Sequence, residues 1–82
     1  MLKEEIRAII LDYSGVSANV ELNDNIDLYR AGMKSFASVQ MMLALEETFE
    51  IEFPESMLMR ATFRSPAAIE QAIKALRSSS TT

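Results

Sequence analysis

The side chain best placed for chemistry in this 82-residue sequence is the hydroxyl of Ser35. It opens the stretch SFASVQMMLALEETFE, which lacks Gly and Pro and carries good helix formers in its second half. A serine at a helix start sits where the first backbone N–H groups have no intrahelical partner and the helix dipole presents its positive end. In the plain structural reading Ser35 is an N-cap. In the chemical reading its hydroxyl is esterified: an attached anion, such as a phosphate diester, is stabilised at that point without catalytic machinery in the chain. Ser38, one turn further along, is the alternative attachment point.

Around this serine the usual chemical groups are missing. The sequence has no His and no Cys, which removes an imidazole base, a thiolate nucleophile, disulfides, haem ligation and the common zinc sites. Asp24 and Asp27 fall in a turn-rich loop and read as caps and turn formers. No catalytic and no metal-ligating residues are expected, and an enzyme would need a base and nucleophile that the composition does not provide. Twelve acidic against eight basic residues give a net charge of −4. With no basic run to offset it, this surface repels nucleic acid and suits a protein partner with a positive patch. No apolar stretch approaches the roughly 20 residues of a membrane span. MLKEEIRAII, with acids in its first turn, looks neither like a signal-peptide core nor like a transit peptide. The expectation is a soluble, cytoplasmic monomer.

The elements that must position Ser35 are helical throughout. Leu2, Ile6, Ile9, Ile10 and Tyr13 are spaced as one helix face. Ser14 and Gly15 end that helix, with Gly15 suited to a left-handed cap. The connector VSANVELNDNIDLYRAGMK follows, with Val20, Leu22, Ile26, Leu28 and Met33 able to pin it to the core. The helix from Ser35 to Glu50 is expected to close at Glu52, Phe53 and Pro54, because the residue before proline avoids helical torsions. A short helical turn is expected over 55–60. Ser65 then caps a last helix with Pro66 at its first position and an apolar stripe of Ala68, Ile69, Ala72, Ile73 and Leu76. The predicted fold is all-α, a four-helix bundle of three main helices and one short one. It forms a single domain over 1–77, with a flexible SSSTT tail at 78–82.

The central helix carries more apolar surface than one packed face needs. Met41, Met42, Leu45 and Phe49 form the natural core face. Phe36, Val39 and Leu43 form a second stripe, bordered by Gln40, Glu46 and Glu47. Either that stripe packs beneath the connector, or it is a docking ridge with an acidic rim.

From Asp27 to Pro54 the sequence DLYRAGMKSFASVQMMLALEETFEIEFP resembles the acyl carrier protein family. Leu28 and Gly32 supply the lead-in, and Ser35 stands in the serine position of the family's Asp-Ser-Leu triplet. Glu46, Glu47, Phe49, Ile51, Phe53 and Pro54 supply the exit pattern. The resemblance implies a four-helix carrier with Ser35 esterified by a 4′-phosphopantetheine arm. A separate phosphopantetheinyl transferase would supply the arm from coenzyme A, and its thiol would hold cargo as a thioester. The ridge of Phe36, Val39 and Leu43, with Gln40, Glu46 and Glu47, would then be what partner enzymes recognise. Lys34 stands where the family has Asp and Phe36 where it has Leu; this reversal of charge beside the serine points to a dedicated partner, and Lys34 itself either pairs with the arm's phosphate or faces water. The hexapeptide Ser35–Gln40 and the following EETFEIEFPESML are similar to bacterial carriers that accept small amino acids such as glycine or alanine. Those carriers are served by stand-alone amino acid:carrier protein ligases. The alternatives are a conventional acyl carrier served by an acyl transferase and, from a different class, an unmodified helical interaction module. Either carrier would pass its cargo to a downstream acceptor enzyme.

Overall fold

The spacing of Leu2, Ile6, Ile9 and Ile10 winds Leu2–Tyr13 into α1, whose three isoleucines are buried. Tyr13, expected on that face, is instead exposed: by the end of the helix the stripe has rotated off the core, and the next inward residue is Ser14. The Ser14 N–H still bonds to the Ile10 carbonyl at 2.9 Å, and its fully buried hydroxyl accepts the Val16 N–H at 3.1 Å. Gly15 follows at φ +81°, the left-handed cap read from the sequence. The computed structural model describes residues 2–17 and 22–79. Val20 therefore lies outside the described residues.

The connector from Leu22 is not a slack loop. Leu22, Leu28 and Met33 are buried, and Ile26 packs against the same core. Two backbone bonds stitch it to the far end of the chain, Leu28 N–H to the Arg64 carbonyl at 2.7 Å and Ala67 N–H to the Asp24 carbonyl at 2.9 Å. Asp24 also takes Lys3 at 3.2 Å and Arg7 at 3.8 Å. Asp27 behaves as a turn former, its Oδ1 accepting the N–H groups of Tyr29 and Arg30.

Helix α2 spans Ser35–Phe49. It stops well before Pro54 by another device. Glu50 adopts the left-handed conformation at φ 54°, ψ 51°, and the N–H groups of Glu50 and Ile51 both turn back to the Glu46 carbonyl. After a 3-10 turn at Glu55–Met57 comes α3, Arg60–Phe63. The expected short helix is thus two pieces separated by Leu58 and Met59. The last helix, α4, covers Pro66–Ser79, and the Ser65 hydroxyl accepts the Ala68 N–H at 3.2 Å, as its capping position requires. Helix α4 extends into the serine-rich end, and residues 80–82 lie outside the described ones.

Helix α1 packs against α2 and α4, and α3 against α4. At the centre Ile6, Ile10, Leu28, Met41, Leu45, Ile69 and Ile73 are essentially inaccessible to solvent. Phe53 and Phe63 close one end edge-to-face, ring centroids 5.1 Å apart at 71°. No strand occurs among the described residues.

Two stability changes of opposite sign follow. Truncating the fully buried Leu45 to Ala is expected to cost about 2–5 kcal/mol. Replacing left-handed Glu50 by Gly is expected to stabilise by about 1 kcal/mol, because the Cβ clash in that conformation disappears. Urea unfolding midpoints at unchanged slope measure both.

Candidate functional site

The segment leading into α2 is a tight turn whose anchors are all local. Ala31 N–H bonds to the Asp27 carbonyl, Gly32 N–H to that of Tyr29, and Met33 N–H to that of Leu28 at 2.9 Å. Gly32 sits at φ +121°, a backbone conformation that side chains with a Cβ rarely adopt. With Leu28 and Met33 sunk into the core, this turn fixes the start of α2.

The N-cap of α2 is Lys34, not Ser35. Lys34 is extended at φ −98°, ψ 164°, and its carbonyl accepts the Ser38 N–H at 2.9 Å; no side chain caps the helix. Ser35 is therefore the first helical residue, one position inside the cap, and its hydroxyl is not spent on a backbone amide. Ser35 is exposed, and no partner holds its Oγ among the described residues. Ser38 differs: its hydroxyl donates to the Ser35 carbonyl at 2.8 Å and it is half-buried. Of the two serines considered for attachment, Ser35 is the accessible one.

Charge on α2 runs against its own dipole. Helices are stabilised by acids in the first turn and bases in the last, by roughly 0.3–1 kcal/mol each. Here the first turn holds no acid and the last no base. Glu46, Glu47 and Glu50 crowd the C-terminal end instead. The positive end is left uncompensated beside the free hydroxyl.

A groove of about 290 Å³ begins at Ser35. Tyr29, Ser38, Val39, Met42, Leu58, Met59, Arg60 and Phe63 complete its walls, so it runs between α2 and the segment entering α3. Met42, expected on the core face, packs against the core but is half-buried and also lines this groove. The Arg60 guanidinium carbon lies 4.3 Å from the centre of the Tyr29 ring. Neither residue stands out in the sequence. Tyr29 lies thirty-one positions before Arg60 (60 − 29), and only the tertiary fold joins them.

The second stripe of α2 does not pack under the connector. Phe36 is 76% exposed, Val39 50% and Leu43 54%, and Gln40 and Glu47 beside them are also exposed. Positions 36, 40, 43 and 47 share one helix face. Glu46 differs from the other proposed rim residues. It is half-buried, and its Oε2 accepts the Phe53 N–H at 2.9 Å, so this carboxylate holds the exit from α2. Lys34 is exposed and makes no ion pair among the described residues. No cluster of His, Cys, Asp or Glu that could hold a metal occurs among the described residues, and no described helix is long and apolar enough to cross a membrane.

A free serine at an uncompensated helix start, beside a groove, suits a phosphate-linked substituent. The family model for the phosphopantetheine attachment site matches residues 4–73. The chain belongs to that family. It is a carrier whose cofactor is a covalently attached 4′-phosphopantetheine arm. The carrier is 47% identical over 70 residues to the aminoacyl carrier protein of Agrobacterium fabrum, covering 84% of each chain. It is 34% identical over 76 residues to the D-alanyl carrier protein of Lactobacillus delbrueckii subsp. bulgaricus, covering 89% of this chain and 95% of that one. Among solved structures it matches, with a TM-score of 0.83 and 45% identity, one of an engineered Bradyrhizobium japonicum glycine:carrier protein ligase complexed with the carrier protein of Agrobacterium tumefaciens and AMP. That match covers 88% of this chain and 97% of the other. The acyl-carrier-like bundle expected from the sequence is the fold observed.

Removing the Glu46 side chain separates its holding role from the rim. Glu46→Ala is expected to cost about 1–2 kcal/mol and to speed hydrogen exchange at the Phe53 amide, which loses its acceptor. Glu47→Ala on the exposed face is expected to stay within about 0.5 kcal/mol.

Proposed function

We propose that the carrier holds a small amino acid, glycine or alanine, as a thioester on a 4′-phosphopantetheine arm esterified to Ser35. The observation that carries the attachment point is the exposed Oγ at the first position of α2, free of any capping bond and facing an uncompensated helix start. When attached, the arm supplies the thiol that a chain without cysteine cannot. The chain's own part is to position the arm and present it: the first-turn amides of α2 would hold the phosphate, and the 27–33 turn fixes the start of the helix that carries Ser35.

The aminoacyl cargo is supported by the relatives named above, together with the Ser35–Gln40 hexapeptide. The carrier performs no catalysis itself, since its residues include no imidazole or thiol. A phosphopantetheinyl transferase adds the arm, an amino acid:carrier protein ligase loads it, and a downstream acceptor enzyme removes the cargo. The docking face for these enzymes is Phe36, Val39, Gln40, Leu43 and Glu47, flanked by Lys34, while Glu46 acts mainly from within by holding the exit loop. We place the carrier in the cytoplasm as a monomer. The second reading, a conventional acyl carrier, draws on the apolar lining of the groove, where Val39, Met42, Leu58 and Phe63 suit a hydrocarbon chain.

Intact-mass measurement after incubation with coenzyme A and a broad-specificity transferase is expected to show one added phosphopantetheinyl group, which is lost in Ser35→Ala and kept in Ser38→Ala. The modified carrier is then offered glycine or alanine with a ligase, ATP and Mg²⁺. Aminoacyl thioester formation supports the proposal, whereas loading only by acyl or malonyl transferases refutes the amino acid cargo. Leu43→Asp, a change on an exposed residue, is expected to leave the fold intact and to reduce ligase loading by about tenfold or more, the scale of an interface anchor.

A further inference from the structure

The chain is net acidic, yet two of its cations without a carboxylate partner lie by Ser35. Lys3 and Arg7 pair with Asp24, Arg64 with Asp27 at 4.0 Å, and Lys74 with Glu70 at 3.7 Å. Arg30, Lys34 and Arg60 have no carboxylate partner among the described residues, and of the three only Arg60 lines the groove. Lys34 precedes Ser35, and Arg60 lines the groove that Ser35 opens. Arg60 is also not a freely waving side chain, because its guanidinium carbon lies 4.3 Å from the centre of the Tyr29 ring. Stacking on an aromatic face uses the guanidinium plane and leaves its edge, with the N–H fork, available to an anion. An arginine held in this way loses less side-chain entropy when it binds than an unsupported lysine does. The acids, by contrast, gather at the other end of α2.

We propose that Arg60, supported by Tyr29, is a positioning residue that takes the phosphate diester of the arm onto its guanidinium edge and so directs the arm along the groove. The inference rests on the reading of Ser35 as the attachment point. Lys34, adjacent to Ser35 in the chain, contributes charge but, without a stacking partner, less direction. The contact is a charge-assisted pair at an exposed site, which favours the held over the free arrangement by about two- to fivefold. The arm is biased, not locked.

The test uses the full ¹⁵N-labelled chain before and after phosphopantetheinylation. Intact mass and peptide mapping first report whether the group is on Ser35. In the modified wild-type chain the Arg60 Nε–H resonance is expected to move, while that of Arg7, already paired with Asp24, stays in place. The ³¹P transverse relaxation rate of the diester is expected to fall about twofold in Arg60→Gln, to recover in part in Arg60→Lys, and to fall in wild type at about 0.5 M salt, where screening reaches within a few ångströms. Tyr29→Leu, checked for an intact amide spectrum, should resemble Arg60→Gln. Full modification at Ser35 with an unmoved Arg60 resonance, and equal phosphorus relaxation in all variants, overturns the role of Arg60 and leaves the attachment reading standing. A chain that gains no mass at Ser35 overturns the attachment reading, and this proposal with it.

Discussion

The arrangement around Ser35 depends on how α2 is gripped. Ile6 and Ile10 of α1 and Met41 and Leu45 of α2 are sealed from solvent in one cluster, and Leu28 and Met33 of the connector enter the same cluster. Only one stripe of α2 is needed for this, since a surface helix packs through an arc of about 100°. The remainder of the helix is left for other uses, with its first residue, its groove side and its outer ridge all facing away from the core. Because the connector is pinned on both sides of the 27–33 turn, the helix start cannot drift relative to the core. A serine with a free hydroxyl is thus held in a fixed position without being buried.

The charge pattern of α2 makes sense against that background. A helix optimised only for its own stability would place acids at the start and bases at the end. This one does the reverse, and the cost is small enough for a well-packed bundle to absorb. Glu46 recovers part of it at the C-terminal end, with its carbonyl closing the helix and its carboxylate taking the Phe53 N–H. At the N-terminal end the first turn holds no acid to provide compensation. An attached phosphate would supply the missing negative charge, which makes the carrier without its arm the electrostatically incomplete form.

Much of this was legible in the residues themselves. Gly15, Ser65 with Pro66, and the stripes of α1, α2 and α4 each carry a local rule, and local rules survive folding. The exposed ridge was legible as surplus apolar surface, though setting aside its packing under the connector required the connector's path. The misplaced features are those decided by tertiary context. The N-cap fell on Lys34 because the 27–33 turn delivers an extended residue there. Helix α2 ended at a left-handed Glu50, a residue type that rarely marks such a cap, and the proline expected to end it lies beyond. Tyr29 under Arg60 is a contact between segments far apart in the chain, and neither residue type signals it alone.

The ridge of Phe36, Val39 and Leu43 has a kinetic consequence. Three exposed apolar side chains and a few polar neighbours are few beside the roughly 20–30 residues per side of a stable complex. Association rates vary little among related interfaces, so a patch of that size is felt mainly in how soon the partners separate. Short residence would suit the proposed succession of transferase, ligase and acceptor, because each would have to let go before the next could bind. Enlarging the ridge to tighten one such complex would lengthen its lifetime and slow the whole cycle of visits.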